Sequence, residues 1–478
     1  MNLHVKDLTV THRGRTLVDV PELELQPRRP VTIVGESGSG KSLLAHTIMG
    51  TLPPELTARG SLLIDGQVLD IADMANRRRL WGRTLALLPQ EPVLALDPTM
   101  RVGGQVAEGF PGFPARRREA RSAAGTLLKA LGLGASAQAY PHTLSGGMAQ
   151  RAAFAAATIG QASVLIADEP SKGLDVGARD ELAALLGRHV EVGGILLTIT
   201  HDLELARQLG GEVLVMRDAT VVEHGPAGQV LAEPSHSYTQ RLIAAEPSHW
   251  TYPWMDRTAP AAEAPRLVSG RGLAKSFGGR TLFSDLSVAV RAGERLAISG
   301  PSGCGKTTLG NILLRLTAPD VGQVSHAAEL GVGRLQKLYQ DPALAFPPRA
   351  TLGDGFRDLL RRHRLDPARL DELLPALRLQ PELLGRLPGQ VSGGELQRLA
   401  VIRAMLLEPA LLFADEPTSR LDLITQEETI CALMEQVDRQ DCALVLVTHD
   451  ESLAHAVAGR RLQLGQDTST SRLAKTPA

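Results

Sequence analysis

The stretch Gly35–Ser42 reads GESGSGKS, and Gly300–Thr307 of the same chain repeats its pattern as GPSGCGKT. Both fit G-x-x-x-x-G-K-[ST], a spacing suited to gripping a polyphosphate. Glycines without a Cβ let successive backbone N–H groups converge on phosphate oxygens. A helix that begins at the lysine adds its partial positive charge. The first candidate cradle is Gly35, Glu36, Ser37, Gly38, Ser39, Gly40, Lys41, Ser42 and Leu43. The second is Gly300, Pro301, Ser302, Gly303, Cys304, Gly305, Lys306, Thr307 and Thr308. Lys41 and Lys306 are placed to reach the β- and γ-phosphates, and the Ser42 and Thr307 hydroxyls to ligate Mg²⁺. A single match arises by chance; two, each between an apolar run and a helical spacing, point to nucleotide binding.

Carboxylates follow at matched places. IADEP (166–170) and FADEP (413–417) each close an apolar run. Asp168 and Asp415 are suited to hold Mg²⁺ directly or through water, and Glu169 and Glu416 to polarise an attacking water. His201 and His449 end a further apolar run, 33 and 34 residues after those aspartates (201 − 168 and 449 − 415). That repetition favours a γ-phosphate contact over an ordinary loop histidine. LSGGMAQR (144–151) and VSGGELQR (391–398) set a serine and two glycines before a helical run. They read either as another anion site at a helix start or as a plain N-cap, and spacing does not choose between these.

The elements that position these residues also come twice. Lys41 and Lys306 lie 306 − 41 = 265 apart, and the later motifs repeat at 392 − 145 = 247 and 449 − 201 = 248. The chain is a duplication. PVTIVGE, RLAISGP, SVLIADEP, ALLFADEP, GILLTIT and ALVLVT are unbroken apolar runs, as buried parallel strands require. Leu309, Ile312, Leu313 and Leu316 have helix spacing. Arginine- and leucine-rich stretches at 116–132 and 357–379 read as amphipathic helices inserted between the motifs. The clusters Arg77–Arg79 and Arg116–Arg118 read as solvated helix faces. Alternating strands and helices give an α/β core with a helical insertion. Boundaries are expected at 1–245 for the first domain, 246–265 for a Pro/Ala-rich linker, 266–465 for the second domain and 466–478 for a disordered tail.

Composition narrows the partners. The 478 residues, 43% hydrophobic, supply more than one core. A net charge of −1 creates no field that would recruit nucleic acid, so none is expected. Three scattered cysteines form neither a disulfide framework nor a zinc cluster. No run reaches the 18 or so apolar residues of a membrane span, and no leader pattern opens the sequence, so it reads as cytosolic.

Taken together, the motifs resemble the ATPase subunits of ABC transporters over both halves and nearly the whole chain. The resemblance implies two tandem P-loop NTPase domains, α/β in class. Each has a mainly parallel mixed sheet, an antiparallel part and a helical subdomain. It implies ATP and Mg²⁺ as cofactors and head-to-tail pairing of the halves. Ser145, Gly146 and Gly147 would face ATP held at Lys306, while Ser392, Gly393 and Gly394 would face ATP held at Lys41. Gln90 and Gln340 match the Q-loop, which senses Mg²⁺ and contacts the membrane partner. Asp175 and Asp422 match the D-loop. Phe277 matches the adenine-stacking aromatic; its counterpart by the 265 shift is His12, a poorer surface.

LLPQEPVLALDPTMRVGGQVAE, LYQDPALAFPPRATLGDGF and AEPSHSYTQRLIAAEPS (232–248) are similar to the peptide- and nickel-import branch. That likeness implies an energy-coupling subunit on the cytoplasmic face of the membrane, working with two permease chains and an extracytoplasmic binding protein. Peptides, nickel or a metal–chelator complex are the cargoes it allows. A soluble twin-domain ATPase acting on ribosomes is the alternative. Such proteins carry a long charged linker, whereas the join here is short and rich in Pro and Ala.

Overall fold

The computed structural model describes residues 2–91, 95–256, 263–328, 330–331, 333–465 and 472–475. It divides into two units, Met1–Ile243 and Ala244–Ala478.

Every apolar run singled out above forms a strand. In the first unit Val31–Gly35, Val164–Asp168 and Ile195–Ile199 are buried along their whole length. A parallel core runs in the order Leu85–Leu88, Val164–Asp168, Ile195–Ile199, Val31–Gly35, Glu212–Arg217. Beside it lie the antiparallel strands Leu3–His12, Arg15–Leu25, Thr57–Ile64 and Gln67–Asp70. The strand Thr220–Pro226 joins the two parts into one sheet. Burial on both faces explains why the parallel runs lack alternation, whereas Leu3–His12 alternates because one face is less covered.

The second unit repeats the core in the same order: Leu335–Leu338, Leu411–Asp415, Ala443–Val447, Arg295–Ser299, Arg460–Gln463. Its antiparallel strands Arg266–Phe277, Arg280–Arg291 and Val321–His326 form a separate sheet among the described residues. The helical insertions are Val102–Glu108 and Arg117–Ala130 in one unit and Leu352–His363 and Ala368–Ala376 in the other. Each buries an apolar stripe, such as Ala120, Ala124 and Leu128 at i, i+4 and i+8.

Several expectations change. Arg77 is no solvated face: it is fully buried beside Gly50 at the end of the helix Lys41–Met49 and donates to the Asp70 and Ile71 carbonyls. Those carbonyls offset the desolvation of its guanidinium. The helix Lys306–Leu313 stops before Leu316, which is 59% exposed. The stretch 246–265 is only partly a linker. Pro247–His249 and Pro253–Asp256 are short 3₁₀ turns, and Trp250 and Trp254 are buried in the second unit's core. Tyr252 stacks on Trp254 and its hydroxyl donates to Glu427. The sequence hid this because three aromatics among prolines follow no helical or strand period. In the expected disordered tail, Arg472–Lys475 pairs antiparallel with Arg460–Gln463. It takes the place that Thr220–Pro226 takes beside Glu212–Arg217.

Candidate functional site

Each glycine loop connects a buried parallel strand to a helix beginning at its lysine, Lys41–Met49 or Lys306–Leu313. Gly40 and Gly305 cap those helices at φ 98° and 100°, the left-handed region that suits glycine. A Cβ on Gly40 would also stand 2.4 Å from the Leu17 carbonyl oxygen. The lysines fold back over their loops. Lys41 Nζ donates to the carbonyls of Gly35 (2.8 Å) and Glu36 (2.6 Å), and Lys306 Nζ to those of Gly300 (2.7 Å) and Pro301 (3.1 Å). A phosphate oxygen would offer these ammonium groups a stronger, charged acceptor at the same place.

The hydroxyl after each lysine meets the strand-end aspartate. Ser42 Oγ donates to Asp168 at 2.9 Å, and Thr307 Oγ1 donates to Asp415 at 3.0 Å. A hydroxyl and a carboxylate side by side are the hard oxygen donors that Mg²⁺ takes, so the residues present fit that ion. Burial raises the Asp168 pKa, opposed by the Ser42 hydrogen bond.

Glu169 and Glu416 sit at φ 46° and 44°, uncommon for a residue with a Cβ. Their backbone N–H groups complete the ladder to Ile199 (2.7 Å) and Val447 (3.0 Å), and the chain then turns away sharply. His201 Nδ1 lies 2.6 Å from Glu169, whereas His449 Nδ1 lies 3.7 Å from Glu416. Burial works against charge on both Glu169 and His201. Their mutual attraction outweighs it, lowering the carboxyl pKa and raising the imidazole pKa. At the second site Gln340 Nε2 also donates to Glu416 at 3.0 Å. Gln90 stands at the corresponding place after Leu85–Leu88.

Ser145 and Ser392 are N-caps, accepting from Met148 and Glu395 N–H groups at 3.3 Å. The glycines after them, Gly146, Gly147, Gly393 and Gly394, form the first turns of the two helices. Asp175 and Asp422 likewise cap helices, accepting from Ala178 and Thr425 N–H groups at 3.0 Å. His12 and Phe277 end equivalent strands, and Phe277 is 55% exposed.

Two residues lay outside the motif reading. Lys337 on Leu335–Leu338 reaches Asp415 at 3.2 Å and Asn311 at 2.9 Å. Its signal was a lone lysine in a core strand. Tyr238, on the helix Ser237–Ala244, accepts the N–H of Glu36 in the first loop at 2.9 Å. Its signal was the SHSYT stretch after the first domain.

The ABC transporter family profile matches residues 18–172 and 283–419. The chain is 33% identical to "Peptidoglycan transport ATP-binding protein YejF" of Agrobacterium fabrum, covering 95% of this chain and 89% of that protein. It is also 33% identical to "Glutathione import ATP-binding protein GsiA" of Salmonella typhi, covering 94% and 82%. Among solved structures its fold is shared with "RNase-L Inhibitor" at a TM-score of 0.67 and 21% identity, covering 98% and 90%. Twin loops, twin strand-end Asp-Glu pairs and this whole-length likeness converge: the chain belongs to the ABC transporter family, as an ATP-binding protein and ATPase with two fused ABC domains.

Proposed function

We propose that the chain is the energy-coupling ATPase of an importer for short peptides or peptide conjugates, with nickel or a metal chelate as the alternative cargo. The observation that carries this reading is its likeness, over more than nine-tenths of its length, to ATP-binding proteins named for peptidoglycan transport and glutathione import. Among the described residues no helix is long and apolar enough to cross a membrane. In this reading the spanning path belongs to two separate permease chains, fed by an extracytoplasmic binding protein, with this chain at their cytoplasmic face.

In this reading each glycine loop binds one ATP, with Lys41 or Lys306 on its terminal phosphates. Mg²⁺, held by Ser42 and Asp168 or by Thr307 and Asp415 with Gln90 and Gln340 nearby, supplies charge neutralisation on the phosphates. Glu169 and Glu416 orient and polarise the attacking water, and His201 and His449 steady those carboxylates and reach the γ-phosphate. The halves pair head to tail, so that Ser145–Gly147 meets ATP on the Lys306 loop and Ser392–Gly394 meets ATP on the Lys41 loop. Asp175 and Asp422 line the seam. Binding closes the pair, and hydrolysis lets it reopen.

The test is isolation of the full chain from its native host under mild detergent. Co-purification with integral membrane chains, and ATPase stimulation by them with a peptide-loaded binding protein, supports the reading. Retention on ribosomes with no membrane partner overturns it. A nickel-loaded binding protein stimulating where peptides do not would reassign the cargo.

A further inference from the structure

The strand-end aspartates Asp168 and Asp415 differ in their neighbours. Leu335–Leu338 runs parallel to Leu411–Asp415 as Leu85–Leu88 runs parallel to Val164–Asp168. In that register Lys337 lies opposite Phe413 and Leu87 opposite Ile166, so the second unit carries an ammonium where the first carries an isobutyl group. The lysine is enclosed. Its side chain is 9% exposed and Asp415's is 7%, with Nζ 3.2 Å from Asp415 Oδ2. The ammonium also donates to Asn311 and lies over the rings of Tyr339 and Phe413, at 5.3 and 5.7 Å. Thr307 occupies the other carboxylate oxygen, Oδ1. The lysine thus packs with its charge aimed at the aspartate and is not a surface residue folded inward. At the equivalent of Asn311 the first unit has His46, whose Nδ1 is engaged by Thr51 at 2.8 Å.

We propose that Lys337 makes the two nucleotide sites unequal, so that ATP binding at the second loop depends less on Mg²⁺ than binding at the first. This inference rests on the reading that both loops take Mg-ATP. Without metal, a strand-end carboxylate repels the triphosphate beside it; at the second loop the ammonium offsets that repulsion. With metal, the same ammonium competes for the carboxylate and weakens its pull on the cation. Both effects act in one direction. They shrink the ratio between affinity in Mg²⁺ and affinity in EDTA at the second loop alone. Lys41 and Lys306 stand alike in their loops and cancel from the comparison.

The measurement is equilibrium binding of a fluorescent ATP analogue at pH 8. Full-length Lys306→Ala leaves the first loop and Lys41→Ala leaves the second. The Mg²⁺/EDTA affinity ratio is expected to be about tenfold or more larger for the first loop than for the second. In the Lys41→Ala chain, Lys337→Met should raise the second loop's ratio toward the first's, and Lys337→Arg should keep it low. In the Lys306→Ala chain, Lys337→Met should change nothing. Equal ratios for the two loops, or a ratio unmoved by Lys337→Met, overturn the inference and leave the nucleotide reading intact. Failure of either loop to bind the analogue in Mg²⁺ overturns the nucleotide reading itself, and this inference with it. Because Arg preserves the charge and Met the volume, a fold defect would affect both variants, and a charge effect only one.

Discussion

The hydroxyl of Tyr238 accepts the backbone N–H of Glu36 at 2.9 Å, tying the segment that follows the first domain's sheet to its phosphate loop. Tyr238 is 3% exposed and Arg217 lies over its ring at 5.0 Å, so the phenol is held in place. The Glu36 carbonyl meanwhile accepts from Lys41 and from Ser39 Oγ (2.9 Å), which places Tyr238 one peptide from the loop's own network. Tyr238→Phe keeps the ring and removes the acceptor. ATP affinity of the first loop, measured in the Lys306→Ala chain, should fall roughly fivefold, about 1 kcal/mol. The second loop, measured in the Lys41→Ala chain, should not change.

Glu223 anchors the turn that delivers Tyr238. Its carboxylate accepts from Ser235 N–H (2.7 Å), Ser235 Oγ (2.6 Å) and His236 N–H (3.2 Å). Burial pushes against its charge, but these donors prevail and bring its pKa down to about 2. A depressed carboxyl pKa means stability that is fully present above the unfolded value near 4.5 and lost as pH falls toward 2. The side chain is partly open to water, so about 1 kcal/mol is the expected size after screening. Thermal unfolding of Glu223→Gln should therefore lie below the parent at pH 7. The gap should narrow as the medium is acidified below 4.5.

Gly310 and Phe413 interlock in the second core. A Cβ on Gly310 would stand 2.0 Å from Phe413 Cζ, and the ring is buried. At the matching places the first unit uses Ala45 and Ile166, both buried, so the two cores fill the same space with opposite size choices. Gly310→Ala should destabilise the second unit by about 1–3 kcal/mol through overpacking. Gly310→Ala with Phe413→Ile should recover most of it. Urea unfolding followed through the tryptophans Trp250 and Trp254 of that unit reads the effect directly. Equal stability of the single variant and the parent would show that the ring has room to move.

Much of this architecture was written in short stretches. The phosphate loops, the strand-end Asp-Glu pairs and the capping serines are local devices. Each needs particular backbone angles and a particular side chain within a few residues, so their spacing survives in the sequence. Lys337, Tyr238 and Arg77 were not legible for the opposite reason. Tyr238 and Lys337 gain their meaning from partners brought near by the fold: Tyr238 stands 202 positions from Glu36, and Lys337 from its aspartate by 415 − 337 = 78. Arg77 finds its acceptors within seven residues, and its burial is what the sequence does not show. Charge in a sequence suggests solvent; only the packed core reveals that Arg77 and Lys337 are enclosed. Trp250 and Trp254 misled differently, since prolines around them imitate a linker while their indoles are buried in the core of the second unit.

The central claim is that Glu169 and Glu416 together drive ATP hydrolysis at two loops of one chain. Its most direct test is steady-state ATPase of the full-length Glu169→Gln/Glu416→Gln protein beside its binding of a fluorescent ATP analogue. A positioned base contributes about 10²–10⁴-fold, so turnover should fall by about that factor while analogue affinity stays within roughly threefold. Hydrolysis at the parental rate with both glutamines in place would contradict the account.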